Sequence, residues 1–323
     1  MIPHAEKIRR ALYRWFGKNG RELPWRGGAS AYAVLVSEFM LQQTTVAAVA
    51  PYFRRWMEDF PDVGALAAAD EQSVLKLWEG LGYYSRARNL HKAAKAIVER
   101  FGGSIPCSVD ELRSLPGIGP YTAGAVAAFA FDQPVPVIDA NIQRVLARLA
   151  GFQRPIRSAE GARFLQAAAS ALLPASGGAR HTAALMDLGA TICRAGRPDC
   201  DRCPVKRFCL AEDPATLPVL PVKKAVERLE DRRAFSVKRG TVALVRSEGQ
   251  RWRGLWLLPP AGPGGRVVAE LDYPITRFRV HLEIVETRKD PQWSVFPLNA
   301  LPPMPSPHRR GLEMALGAVG SDF

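Results

Sequence analysis

The sequence predicts a mainly α-helical protein that ends in a smaller α+β region, and three observations indicate this. Apolar residues recur at helical spacing in one segment after another over residues 5–192, with almost no strand signal. Prolines and a charged run interrupt the pattern over residues 211–234, which is typical of a linker. Beyond it, residues 277–284 alternate strictly between apolar and polar or charged side chains, as in a half-buried strand.

The helical region consists of a series of periodic segments. They span residues 5–17, 31–47, 62–68, 71–79, 88–101, 110–131, 140–151, 159–173 and 181–192. Gly80-Leu81-Gly82-Tyr83-Tyr84 separates two of these segments, and its tyrosines suit either of two roles. They can wedge between nucleic-acid bases or pack against a neighbouring helix, and the sequence leaves both open.

The C-terminal region, from about residue 235 onwards, is predicted to be a small α+β domain. Residues 242–245 and 255–258 are predicted to form paired strands, and residues 277–284 a further strand.

The bulk composition points to a polyanionic partner. The chain has 323 residues, enough for about two domains, and a formal net charge of +13. Neutralising phosphates with Lys and Arg releases counterions, so nucleic acid is the expected partner, although an ordinary basic protein is the alternative. The first ten residues carry charged side chains at Glu6, Lys7, Arg9 and Arg10, and the longest apolar run, residues 123–131, is too short to span a bilayer. We therefore expect a cytoplasmic protein with no membrane association.

Residues 115–125, Leu-Pro-Gly-Ile-Gly-Pro-Tyr-Thr-Ala-Gly-Ala, place three helix breakers between helical segments and predict a hairpin linking two helices. Gly117 and Gly119 would let the backbone approach a ligand closely, and N–H groups at the start of the following helix can bind a phosphate. Because Gly-x-Gly also occurs in tight turns that bind no ligand, a plain turn remains the alternative interpretation.

Asp139 follows an apolar run and precedes the periodic helix at 140–151, which predicts that it caps this helix. Capping N–H groups would hold the carboxylate ionised, so capping is compatible with a role facing developing positive charge.

Glu38, Gln42 and Thr45 form a narrow polar stripe on the apolar helix predicted at 31–47. Such a stripe faces either solvent or a cavity. In a cavity, desolvation would raise the pKa of Glu38 and let it donate a proton near neutral pH.

Four of the five cysteines form the pattern C-x6-C-x2-C-x5-C, with basic residues between them. The cysteines of this motif are Cys193, Cys200, Cys203 and Cys209. This crowding favours metal binding over a disulfide framework. Zinc and an iron–sulfur cluster use the same four thiolates, so both metals remain open.

Six motifs occur in the order found in one enzyme family. They are Leu-Pro-Trp-Arg at 23–26, Ser-Glu-Phe-Met-Leu-Gln-Gln-Thr at 37–44, Gly-Leu-Gly-Tyr-Tyr-Ser-Arg-Ala-Arg-Asn-Leu at 80–90, the hairpin at 115–125, Ile-Asp-Ala-Asn at 138–141 and the cysteine motif. In this order they closely resemble the adenine DNA glycosylase (MutY) family of the helix-hairpin-helix superfamily, which includes endonuclease III. The resemblance extends almost continuously from residue 5 to about residue 210.

The resemblance implies a function. Members of the family are base-excision-repair enzymes that hydrolyse the N-glycosidic bond of adenine mispaired with 8-oxoguanine or guanine in double-stranded DNA. We accordingly expect a monomeric bacterial enzyme associated with the nucleoid.

The resemblance also implies the domain organisation. A six-helix barrel with the helix-hairpin-helix would span residues 25–132, and an iron–sulfur domain would combine residues 1–24 with 133–213. Residues 214–234 would be a linker, and residues 235–323 a Nudix-like mismatch-recognition domain.

Catalytic roles carry over by position. Glu38 matches the general acid that protonates adenine at N7, and Asp139 matches the carboxylate that stabilises the oxocarbenium ion. Asn141 would orient the carboxylates or the attacking water. Tyr121 stands where bifunctional relatives carry a lysine nucleophile, and because a phenol cannot form a Schiff base, the resemblance implies a monofunctional enzyme.

Binding roles carry over in the same way. Trp25, Arg26 and Asp187 match positions that contact adenine, and Gln43 and Tyr83 match residues that fill or wedge the DNA helix near 8-oxoguanine. The four cysteines of the motif match the ligands of a 4Fe-4S cluster.

The C-terminal region departs from the family pattern. Residues 254–259, Gly-Leu-Trp-Leu-Leu-Pro, are similar to the family's Nudix-like domain, but the clustered glutamates of Nudix phosphohydrolases are absent. The family's Phe-Ser-His motif, which reads 8-oxoguanine, aligns best with Ile275-Thr276-Arg277. This departure concerns the preference for 8-oxoguanine and not adenine excision.

Two alternative functions are considered. Another mismatch glycosylase of the same scaffold, such as one removing thymine opposite guanine, would share Tyr121 and the cysteine motif. A non-catalytic DNA-damage-binding protein would use the hairpin and the cysteine loop without chemistry.

Overall fold

The computed structural model describes residues 2–222, 225–249, 251–287 and 290–319. The helices in these ranges are α1 (Ala5–Asn19), α2 (Ala31–Leu41), α3 (Val46–Asp59), α4 (Val63–Ala68), α5 (Glu71–Leu77), α6 (Ser85–Phe101), α7 (Val109–Arg113), α8 (Pro120–Phe131), α9 (Ala140–Leu149), α10 (Ala159–Leu172), α11 (Gly178–Asp187) and α12 (Ser306–Val319). The strands are β1 (Glu227–Phe235), β2 (Val237–Lys238), β3 (Thr241–Arg246), β4 (Trp256–Leu257), β5 (Val267–Ile275), β6 (Phe278–Glu286) and β7 (Ser294–Pro297). The predicted order of a mainly α region followed by an α+β region is confirmed.

The chain forms two compact units that differ from simple halves of the sequence. Unit 1 combines Met1–Ala68 with Asn89–Val222, and unit 2 combines Ala69–Arg88 with Lys223–Phe323. The segment with α5 and the Gly80–Tyr84 turn therefore belongs to the same unit as the C-terminal strands. The domain boundaries expected from the family resemblance remain a proposal.

The helix predicted over residues 31–47 was wrong in its extent. Helix α2 ends at Leu41, because Gln43 adopts a left-handed conformation with φ of 59°. Thr45 then caps α3, its side chain accepting a hydrogen bond from the Ala48 amide at 3.3 Å. Helix α3 was not predicted as a separate element, although Val49, Phe53 and Trp56 are buried at helical spacing.

The core of unit 1 is built around α9. Its apolar residues follow the predicted spacing and are almost fully buried: Ile142, Val145, Leu146 and Leu149. Ile8 and Leu12 of α1 belong to the same cluster. Burying one such side chain stabilises the fold by roughly 1.5–3 kcal/mol, so the start of α9, where Asp139 lies, is firmly anchored.

Unit 2 contains two small sheets. One has the order β1-β6-β5, with β1 parallel and β5 antiparallel to β6. In the other, β3 pairs with β2, β4 and β7, and the β3–β4 pairing confirms the predicted paired strands. Helix α12 packs on β5, where Gly311 lies against Ile284 of β6.

The predicted linker at 214–234 was wrong in its C-terminal part, and its residues Lys223 and Lys224 lie outside the described residues. Residues from Glu227 onwards form β1 in place of an irregular connection. The charged run is compatible with a strand because β1 lies at the edge of its sheet, where charged side chains reach solvent. Arg232 also pairs with Glu283 on β6 at 3.0 Å.

Across the described ranges, the helices are too short or too polar for any of them to cross a membrane.

Candidate active site

A cavity of about 880 Å³ opens in unit 1 between α2, α8 and the start of α9. Seven of the nine predicted catalytic and substrate-binding residues line it: Trp25, Arg26, Glu38, Gln43, Tyr121, Asp139 and Asn141. Gln42 and Thr45 of the polar stripe line it as well. The two carboxylates, 101 positions apart in the sequence, thus meet at one cavity.

Glu38 lies in α2, whose residues 32–40 are all buried. Glu38 is only 4% exposed, and burial raises its pKa from 4.5 to about 7. A hydrogen bond from the Tyr121 hydroxyl opposes this shift, while the charge of Asp139 adds to it. Among the described residues, Oε2 of Glu38 has no hydrogen-bond partner. The polar stripe therefore faces a cavity, and its acid titrates in the range suited to proton donation.

Asp139 is the N-cap of α9, as predicted. Its Oδ1 accepts a hydrogen bond from the Ile142 amide at 2.6 Å, and its Oδ2 accepts one from Asn141 Nδ2 at 2.8 Å. Burial nevertheless raises the pKa of Asp139 above its ordinary value, although these hydrogen bonds and the charge of Arg144 lower it. The hydrogen bonds of the cap favour the ionised form, as expected, but desolvation is the larger effect, so the net shift of the Asp139 pKa is upward.

Tyr121 stands on the first turn of α8 and faces both carboxylates. Burial raises its pKa well above 10.0, and the nearby charges of Glu38 and Asp139 raise it further. The phenol therefore stays protonated and donates its hydrogen bond to Glu38.

Asp187 does not line the cavity but holds two arginines that do. Its buried carboxylate accepts hydrogen bonds from Arg21 Nε at 2.8 Å and from Arg26 Nη1 at 3.0 Å, among others. Burial alone would raise the pKa of Asp187, but the bonds from Arg26 and Arg21 outweigh it and lower the pKa. Arg21 was missed by the sequence analysis, since no periodicity or motif distinguishes it from other surface arginines.

Arg144 was also missed, and it connects the start of α9 to the cysteine motif. One of its Nη atoms donates to Asn141 Oδ1 at 2.8 Å and to the Gly189 carbonyl at 2.7 Å, while Nε donates to the Cys193 carbonyl at 2.7 Å. Its position three residues after Asn141 places it on the same side of the helix, but the sequence alone does not reveal which loop it meets.

The hairpin glycines differ in what they require. Gly117 has φ of 75°, and a Cβ there would lie 2.5 Å from Asn89 Cβ, so only glycine fits. Gly119 caps α8 in an extended conformation, and a Cβ there would meet nothing within 4 Å. Gly119, the N-cap of α8, has no side chain that could cap the first amides of this helix.

The two predicted wedge residues lie in different units. Gln43 lines the cavity of unit 1 in a left-handed conformation. Tyr83 belongs to unit 2, where it is 44% exposed with φ of 47°, while Tyr84 beside it is 3% exposed. The sequence left two roles open for these tyrosines. Tyr83 is exposed enough to stack on a nucleic-acid base, whereas Tyr84 is buried and packs in the core.

The four motif cysteines are half-buried and form no disulfide. Arg148 Nη1 donates to Cys193 Sγ at 3.3 Å, and the Arg148 carbonyl accepts from Cys209 Sγ at 3.2 Å. Burial raises the pKa of Cys203 to about 11, and the other three thiols of the motif add to the shift. The four thiols therefore lie in one neighbourhood.

Comparison with known proteins assigns the fold. Residues 36–189 match the HhH-GPD superfamily of base excision DNA repair proteins. The structure of a thermostable thymine-DNA glycosylase is 24% identical with a TM-score of 0.57, and that of a non-covalent endonuclease III–DNA complex is 25% identical with a TM-score of 0.55. Each match covers 64% of this chain and 95% of the other. The class is thus the helix-hairpin-helix base-excision fold.

Curated relatives narrow the class to one family. The adenine DNA glycosylase of Buchnera aphidicola from Acyrthosiphon pisum is 33% identical over 242 residues, which cover 75% of this chain and 67% of that protein. The adenine DNA glycosylases of Mycolicibacterium smegmatis and Rattus norvegicus are 44% identical over 195 residues and 43% identical over 219 residues. These matches cover 60% and 65% of this chain, and 66% and 42% of the relatives. The chain belongs to the adenine DNA glycosylase (MutY) family, although it spans only about two fifths of the rat, mouse and human relatives.

Proposed function

We propose that the protein is a monofunctional DNA glycosylase that removes adenine mispaired with 8-oxoguanine or guanine from double-stranded DNA, acting as a monomer. The observation that carries the proposal is the pair of carboxylates at one cavity, of which the buried Glu38 has a pKa of about 7. Similarity to adenine DNA glycosylases names the base.

The two carboxylates take the two roles that glycoside hydrolysis needs. Protonated Glu38 gives its proton to N7 of the flipped adenine, so that the base departs neutral. Positive charge then develops at C1′ of the sugar, and ionised Asp139 stabilises it. Asn141 donates to Oδ2 of Asp139 and so fixes the orientation of this carboxylate.

Tyr121 supports the proposal of base release without strand cleavage. Strand cleavage by this scaffold requires an amine that forms a Schiff base with the sugar. A phenol with a strongly raised pKa supplies no such nucleophile, and its hydroxyl instead donates a hydrogen bond to Glu38.

Duplex DNA would be held by the hairpin and by positive charge. The open amides at the start of α8, beside Gly117 and Gly119, suit a backbone phosphate. Trp25 and Arg26 line the cavity that would receive the flipped adenine, and extrusion costs least at a mispair. Gln43 and Tyr83 would fill and wedge the stack that the base leaves.

The four motif cysteines fit a 4Fe-4S cluster better than a single zinc ion. A tetrahedral zinc site with Zn–S bonds of about 2.3 Å needs sulfurs about 3.8 Å apart. Among the described residues, no three of these sulfurs lie within 4.8 Å of one another, a spacing that suits a larger cluster. Such a cluster would cross-link the basic loop between the cysteines and present it to the DNA backbone.

A panel of duplexes tests the proposed substrate. We predict adenine release opposite 8-oxoguanine and opposite guanine, little release opposite cytosine, and no thymine release opposite guanine, measured at stated salt concentrations. Thymine release without adenine release would replace the proposal with the alternative mismatch glycosylase.

The same reactions test the monofunctional assignment. Borohydride should trap no covalent protein–DNA adduct, because no lysine stands at position 121. Efficient trapping would contradict this part of the proposal.

A further inference from the structure

Tyr83 occupies a strained turn in unit 2. Gly80, Gly82 and Tyr83 have φ of 105°, 69° and 47°, so three of four consecutive residues are left-handed. A tyrosine in that region is strained and persists only where surrounding contacts determine it. The contacts around this turn therefore decide whether Tyr83 stays in place.

Part of the support is local. Trp78 Nε1 donates to the Gly82 carbonyl at 3.0 Å, and Arg86 donates to the carbonyls of Leu81 and Gly82, both at 3.0 Å. The Arg86 guanidinium also lies over the Tyr83 ring, 5.6 Å from its centroid. The Arg86 amide also donates to the Tyr83 carbonyl at 2.9 Å. These bonds do not involve the side chains of Glu79 and Tyr84 at the two ends of the turn.

Both ends of the turn are held by one short C-terminal stretch, residues 302–309. Glu79, directly before the turn, forms an ion pair with Arg309, whose second bond to Glu79 is 3.2 Å long. Tyr84, directly after Tyr83, donates its buried hydroxyl to the Met304 carbonyl at 2.9 Å. Arg309 is itself fixed by donating to the Pro302 carbonyl at 3.0 Å.

We infer that residues 302–309 of the C-terminal region are a positioning element for Tyr83, which they hold in the conformation that stacks on DNA bases. The inference rests on the proposed function, because it assigns Tyr83 to duplex engagement. A pre-ordered aromatic ring loses less conformational freedom on binding, and stacking on a base is worth enough to matter for affinity. The C-terminal region thereby increases affinity for duplex DNA through Tyr83, independently of any contact that it makes with the base opposite adenine.

The inference is tested by a mutant cycle in the full chain. Tyr84→Phe removes one hydroxyl, and Arg309→Met removes the ion pair while keeping an unbranched stem. Each should weaken binding to the adenine mispair duplex about threefold to tenfold, as expected for one lost hydrogen bond or partly buried ion pair. The single-turnover rate of base release at saturating enzyme should stay unchanged, because neither residue is in the cavity of unit 1.

Tyr83→Ala is the reference variant. On this background Tyr84→Phe and Arg309→Met should cause no further loss, because the positioned ring is already absent. Fluorescence of 2-aminopurine beside the mispair should rise less in all three single variants than in wild type. Arg88→Met is the matched control, since it removes a side-chain to backbone bond of the same unit, from Arg88 Nη1 to the Arg253 carbonyl, that involves neither the turn ends nor residues 302–309.

Additive losses of duplex affinity on the Tyr83→Ala background would overturn the inference. An equal loss of affinity in Arg88→Met, or no loss in Tyr84→Phe and Arg309→Met, would overturn it as well. If Tyr83→Ala itself binds like wild type, the inference fails together with the proposed role of Tyr83. Failure of the proposed function is distinct, since it would appear as no base release by wild type on any duplex.

Discussion

The two carboxylates at the cavity, Glu38 and Asp139, differ in their hydrogen-bond partners. Glu38 and Asp139 line the same cavity and both have raised pKa values, but only Asp139 is bonded by amide donors from the start of α9. Glu38 instead receives a hydrogen bond from Tyr121, a weakly acidic donor that stays neutral. The amide donors favour the ionised form of Asp139, whereas the pKa of Glu38 rises to about 7; paired carboxylates in glycosidases differ through their environments in the same way.

The pH dependence of base release follows from these shifts. Because Glu38 must be protonated, we predict that kcat/KM falls as pH rises above about 7, up to tenfold per unit. On the acid side the rate should fall as Asp139 gains a proton, at a pH above its ordinary pKa of 3.8. A pH–rate profile measures both limbs, and a rate that is flat from pH 6 to pH 9 would contradict the role of Glu38.

Among the elements, α9 and the π-helical stretch Leu188–Ile192 set the geometry of the site. The sequence predicted α9 and its cap correctly, because the amphipathic period and an aspartate cap are local signals. It did not predict that a π-helix follows Asp187, nor that α2 ends at Leu41, because the apolar period continues through both positions. Arg21 and Arg144 were missed because the partners of their side chains are distant in sequence.

A substitution at Gly189 tests the packing of the π-helical stretch against the start of α9. A Cβ on it would lie 2.6 Å from Asn141 Cβ and 2.9 Å from the Asn141 carbonyl oxygen, which the backbone of α9 holds in place. We predict that Gly189→Ala destabilises the fold by roughly 1–3 kcal/mol and lowers base release by displacing Asn141 from Asp139.

Thermal unfolding and single-turnover kinetics measure the two effects. Gly17→Ala is the matched control: it lies in α1 with nothing within 4 Å of the added Cβ, and should be neutral or stabilising. Equal behaviour of the two variants would show that the contact between Gly189 and Asn141 is unimportant.

At the scale of the whole molecule, the predicted order of an α region and an α+β region was correct, but the grouping of segments was not evident from sequence. Residues 69–88 stand in the sequence between helices of unit 1 yet belong to unit 2 together with the C-terminal region. The charged run that resembled a linker became an edge strand, because pairing with β6 supplies a partner that no local pattern reveals.

The proposed cluster is tested by metal analysis of the full chain and of cysteine variants. We predict that the purified protein contains about four iron atoms with visible absorption, and that Cys200→Ser loses most of both and binds duplex more weakly. Cys107→Ser, an exposed cysteine outside the motif, is the control and should retain them. Stoichiometric zinc in place of iron would contradict the proposal.

The central claim is that the carboxylates of Glu38 and Asp139, which line one cavity of unit 1, act on one sugar–base bond. The most direct measurement is single-turnover adenine release from a duplex with adenine opposite 8-oxoguanine, with duplex affinity determined in parallel. Glu38→Gln and Asp139→Asn should each lower the rate by about 100-fold or more while both still bind the duplex. Wild-type rates in either variant would contradict the assignment of that carboxylate.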